Sequence, residues 1–130
     1  MNTPKNFLYT KQHAWVQIKD DIAVIGITDE LQEILEFIDE IDLPKKGDEI
    51  EMDMECVTLN FDGGTHDLPS PLTGRITKLN NDLRYNPELI HSSCYNKGWL
   101  FEMEYDEPDE LEMLYSAAEY EDEIENMPDL

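Results

Sequence analysis

Apolar and polar positions alternate with a period of two along much of the chain, the pattern of half-buried strands. Trp15 to Lys19 and Ile22 to Ile27 read as two strands around Asp20-Asp21, a hairpin turn. Thr28 is placed to cap a helix, with Asp29 and Glu30 in the first turn, where acids face the positive end of the helix dipole. Leu31, Ile34 and Leu35 carry its apolar stripe, and the helix ends before Ile38. From Phe37 to Leu43 the alternation returns, predicting another strand. Pro44 to Asp48 is a turn, and Glu49 to Phe61 reads as one long strand. Val57, Leu59 and Phe61 share one face of it, with Cys56, Thr58 and Asn60 on the other. Asp62-Gly63-Gly64-Thr65 predicts a tight turn in which paired glycines supply the positive φ of a primed hairpin. The chain returns through His66 to Pro69, where Pro69 and Pro71 limit the ladder.

Further strands are predicted at Gly74 to Leu79 and Gly98 to Tyr105, with a turn at Asn80-Asn81-Asp82 and a short helical turn at Asn86 to Leu89. Pro108 to Leu114 and Ser116 to Glu125 read as helices, with Asp106 or Ser116 able to cap. Many short strands with helices near both ends predict a small β-rich sandwich. No linker divides the 130 residues, so they read as a single domain, 1–130, with a core at about 8–121 and an acidic tail at 122–130.

Charge narrows the possible partners. There are 31 Asp+Glu against 9 Lys+Arg, a formal net charge of −22, which repels nucleic-acid phosphates and anionic membranes. From Glu102 to Leu130 there are 13 acidic residues and no Lys or Arg. These acids read either as a solvated helical face or as a surface for docking on a basic partner; charge alone does not separate the two, and the solvated face is favoured for most of the individual residues. No apolar run approaches the ~20 residues of a membrane span, and no signal segment opens the chain. Two cysteines, Cys56 and Cys94, give no disulfide framework and point to a reducing, cytoplasmic setting. The sequence leaves open whether they pair, although buried free thiols are favoured.

Catalytic and metal signatures are missing. His13, His66, His91, Cys56 and Cys94 show no short ligand spacing, so no metal is expected. Glu40 with Asp42, Asp48 with Glu49, and Glu121 to Glu123 are acid pairs of the kind that 31 acids produce by chance. There is no phosphate-binding loop and no nucleophile elbow. Trp15, Trp99, Phe101 and Tyr105 read as core or half-buried sheet residues. No catalytic residue is assigned, and the chain is not expected to be an enzyme.

Several segments together resemble the H protein of the glycine cleavage system. They are Tyr9 to Val16, Ile25 to Asp29, Asp42-Leu43-Pro44, Gly47-Asp48-Glu49, Ser70 to Gly74, Asn86 to Leu89, Gly98 to Phe101 and Leu114 to Tyr120. Each is weak alone, but their order and spacing over about residues 8–121 are specific. The resemblance implies a lipoyl/biotinyl-type barrel-sandwich hybrid with short peripheral helices and a helical C-terminus. It also implies a carrier, in which a lysine at a hairpin tip bears a lipoyl arm. That arm takes an aminomethyl group from glycine decarboxylase (P protein), presents it to aminomethyltransferase (T protein), and is reoxidised by dihydrolipoamide dehydrogenase (L protein). His13 falls in a segment where the family has a histidine, and it reads as structural.

The chain departs from this pattern at one place. Asn60-Phe61-Asp62-Gly63-Gly64 stands where the family has a segment like Glu-Ser-Val-Lys-Ala, so Gly63 holds the lysine position. No lysine or arginine occurs from Gly47 to Gly74, so no local shift of register recovers one. The lipoyl cofactor that the resemblance implies therefore has no attachment amine. The expected function is a non-lipoylated, H-protein-like interaction or scaffold protein that docks on the P, T or L proteins or on a lipoylating enzyme. Two alternatives stay open: a working carrier whose arm sits on another lysine, such as Lys45 or Lys46, and a small-ligand or metal module using the tip and His66. The bland reading of the tip is a good turn in a chain that lost its carrier role. The sharper one is a tip remodelled for contact, with Phe61 adding apolar area.

Overall fold

The computed structural model describes residues 3–126. In chain order it contains β1 (Leu8–Tyr9), β2 (Ala14–Lys19), β3 (Ile22–Ile27), α1 (Asp29–Leu35), β4 (Ile38–Asp42), β5 (Glu49–Ile50) and β6 (Glu55–Phe61). There follow β7 (Gly64–Pro69), β8 (Gly74–Leu79), α2 (Asp82–Tyr85), α3 (Leu89–Ser92), β9 (Phe101–Tyr105), a 3-10 helix (Pro108–Met113) and α4 (Ala117–Asn126). One sheet runs β1-β2-β3-β9-β8-β5, and a second runs β4-β6-β7. All the pairings are antiparallel, so the fold is mainly β with short helices and a helical C-terminus.

The inner faces of the two sheets share one core. Val16, Ile25, Ile76 and Met103 face it from the first sheet, and Ile38, Val57, Leu59 and Leu68 from the second. Burying each of these large side chains contributes about 1.5–3 kcal/mol. A second, aromatic cluster joins Phe7, Tyr9, Trp15 and Tyr120, with Phe7 stacked on Trp15 and Tyr9 on Tyr120, both at 4.8 Å. Trp15 and Phe101 are buried, whereas Trp99 and Tyr105 are half-buried.

The long strand predicted over Glu49 to Phe61 is broken. Asp53 adopts φ 71°, its N–H donates to the Ser70 carbonyl at 2.9 Å, and Met54 N–H donates back to Glu51. This bend carries the chain from β5, paired with β8 in the first sheet, to β6 in the second. Three smaller differences accompany it. The last strand starts at Phe101, with Trp99 in the aromatic cluster before it. The Asn80 turn continues into α2, its amide nitrogen donating to the carbonyls of Lys97 and Trp99. The segment after Pro108 is 3-10 rather than α, and its cap position, Glu107, makes no side-chain capping bond.

Ser116, not Asp106, caps the last helix. Glu119 N–H donates to Ser116 Oγ while Ser116 N–H donates to Glu119 Oε1, the reciprocal capping box. The helix continues to Asn126, one residue beyond the expected Glu125, and residues 127–130 of the acidic tail lie outside the described residues.

The Ser70–Gly74 turn is clamped from the 3-10 helix. Thr73 N–H and Oγ1 donate to the two oxygens of Glu110 at 2.7 and 2.6 Å, and Met52 N–H donates to Thr73 Oγ1. At Gly74 the backbone of β9 is so close that a Cβ would run into the Glu104 carbonyl. Glu110→Ala removes both bonds to Thr73 and is expected to lower stability by about 2 kcal/mol in urea unfolding. An unchanged midpoint would show that the clamp carries no weight.

Candidate functional site

The β6–β7 hairpin places the residues that matter. Val57 and Leu59 are buried, whereas Thr58 and Asn60 face outward, so alternation fixes which way the strand faces. Val57 pairs with Leu68, Leu59 with His66, Asn60 with Thr65 and Phe61 with Gly64, which leaves Asp62-Gly63 as a two-residue tip. On the outer face, Asn60 Nδ2 donates to Asp42 Oδ2 of β4 at 3.2 Å, and within the hairpin Thr58 Oγ1 donates to Asp67 Oδ1 at 2.7 Å.

The turn differs from the primed type that its glycines suggest. Positive φ falls on Gly64, at 135°, and neither Asp62 nor Gly63 is in the left-handed region. Gly63 is exposed, and a Cβ built on it would lie 2.7 Å from Phe61 Cε2. The Phe61 ring therefore lies across position 63, and it also packs on the main core.

Lipoyl attachment needs an amine, and the hairpin offers none. Lys45 and Lys46 lie in the loop after β4. The Ile38 end of β4 pairs with Phe61 beside the tip, whereas its Asp42 end pairs with Thr58, so this loop leaves from the far end of the sheet. The residues at the tip do not fit a lipoyl amide.

His66 stands opposite buried Leu59, with its Nε2 buried and without a hydrogen-bond partner among the described residues. Burial lowers its pKa, partly opposed by Asp67. His91 is set apart from it in α3, accepting from Ile38 N–H at Nε2 and bonded to Gln32 through Nδ1. Cys94 is buried and Cys56 half-buried, as separate thiols, each pushed up to about 12 by burial. Among the described residues no group of three or more His, Cys, Asp or Glu could hold a metal, and no helix is long and apolar enough to cross a membrane.

The sequence did not indicate the partner of His13. Its ring is buried, and Nδ1 is bonded at 2.6 Å to the hydroxyl of Tyr120, which also meets Thr28 Oγ1 at 2.8 Å. Thr28 Oγ1 in turn accepts from Leu31 N–H, capping α1. One tyrosine thus joins α4, the β1–β2 turn and the start of α1. The one available signal was the Ser116-x-x-Glu119 box, which fixes the start of α4 and hence the face on which Tyr120 falls.

Burial, reinforced by His66, lowers the His13 pKa to about 4 from 6.5. The unfolded chain therefore takes up the proton first as acid is added. The stability contributed by His13 is complete above about pH 6.5 and is lost as the pH falls towards 4. Melting temperatures should fall across that window, and less steeply in His13→Asn, since Asn tolerates the φ of 68° found there. Equal slopes in the two proteins would refute this assignment.

The family model described as "Glycine cleavage H-protein" matches residues 7–127. The glycine cleavage system H protein of Psychrobacter sp. (strain PRwf-1) is 36% identical over 124 residues, 95% of this chain and 98% of that protein. Its counterpart in Bacteroides thetaiotaomicron is 38% identical over 120 residues, 92% of this chain and 95% of that protein. The crystal structure of a glycine cleavage system H protein from Mycobacterium marinum superposes with TM-score 0.84 at 25% identity, covering 94% of this chain and 98% of that one.

Proposed function

Since the chain belongs to the glycine cleavage H-protein family, we propose that it is a non-lipoylated member that acts by docking rather than by carrying a group. The observation that carries this reading is the tip itself: Gly63 stands at the second turn position, and no Lys or Arg occurs from Gly47 to Gly74. Glycine has no side chain from which an amide could form, so an arm cannot start there. The carrier alternative draws no support from Lys45 and Lys46, which lie beyond the far end of the sheet from the tip. No catalytic role is assigned to any residue. The partners proposed are the P, T and L proteins or a lipoylating enzyme, reached through a surface that is strongly acidic overall. A reducing cytoplasm suits the two free thiols.

Two measurements test the reading. After incubation with lipoate, ATP and a lipoylating enzyme, the intact mass should stay unmodified under conditions that convert a lysine-bearing H protein. Immobilised P, T and L proteins should retain the chain at low salt and release it as salt rises. A lipoyl mass shift on this chain would sink the non-carrier reading, and absence of binding to the P, T and L proteins and to the lipoylating enzyme would sink the docking role.

A further inference from the structure

We infer that Phe61 is a second, steric bar to acylation at the hairpin tip, separate from the missing amine; this deepens the non-lipoylated reading and rests on it. Gly63 is outside the left-handed region, so its backbone conformation would admit a lysine. The space around it would not. A Cβ at position 63 meets Phe61 Cε2 at 2.7 Å, with Cδ2 and Cζ next at 3.4 and 3.5 Å. One edge of the ring therefore covers the direction in which a side chain would leave. The ring is not a loose surface group. Phe61 packs against the main core, and its cross-strand partner on one side is the fully buried Ile38. On its other side Gly64 has no side chain. Seating a lysine at 63 requires the ring edge to shift, and the packing of Phe61 against the core resists that shift, a local overpacking that opposes the extended arm an acylating enzyme must reach.

The test compares Gly63→Lys with Phe61→Ser/Gly63→Lys, using Phe61→Ser alone and circular dichroism melts to establish folding. Each protein is given lipoate, ATP and a lipoylating enzyme. In the acylation the lysine amine attacks the carbonyl of lipoyl adenylate, a C–N bond forms, the C–O bond to AMP breaks, and the amine proton passes to solvent. Intact mass and peptide mapping at position 63 give the rate. The double variant should be modified about tenfold faster than Gly63→Lys. Equal rates overturn the inference, as does failure to modify either folded variant. If the serine variant unfolds, Phe61→Val replaces it, since a β-branched residue suits the strand. In the unsubstituted protein, a nuclear Overhauser contact from the Phe61 ring to the Gly63 α-protons is expected, and its absence overturns the inference. Uptake of lipoate by the unsubstituted chain would instead overturn the non-lipoylated reading, so the two failures are distinguishable.

Discussion

The register between β6 and β7 is the constraint on which the rest depends. Side chains alternate with period two, so slipping β6 by one residue would exchange buried Val57 and Leu59 for Thr58 and Asn60. Several kilocalories per mole of apolar burial oppose that slip. With the register held, the identity of the tip residue is no longer adjustable. Gly63 stands there because the core fixes where the strands turn. The missing amine is thus a property of the packed fold and not of a movable loop.

How much of this was legible in the sequence depends on where the physics was local. The β2–β3 hairpin around Asp20-Asp21 and the Thr28 cap were readable, because alternation and capping act within a few residues. The break at Asp53 was not. Its left-handed φ is held by a bond to Ser70, seventeen residues on, and Asp carries no obligatory turn signal. The 3-10 helix was missed for a similar reason, since Glu110 is engaged by Thr73 from a distant turn.

The candidate site divides in the same way. The absence of a lysine could be counted directly, and the turn could be placed from its glycines. That Phe61 leans over Gly63 could not be read, because a strand residue's alternation says which face it occupies but not how far its ring reaches along the strand. Nor could the His13–Tyr120 bond, which spans 107 positions. Both are products of tertiary packing, and both involve aromatic groups, whose size lets them touch residues outside their own register.

Charge and packing together set what the tip can do. With no Lys or Arg from Gly47 to Gly74 and the Phe61 ring packed against the core, the hairpin surface is acidic, with Asp62 at its end and Asp67 on its face. Such a surface gains little from nucleic-acid phosphates. Charge of this sign is complementary to basic surfaces and steers encounter with them. A lipoyl-lysine tip works by reach, since its long arm samples several sites. A glycine at that position gives no starting point for such an arm. The Phe61 ring lies over the same position, so the amine and the space for it are missing together.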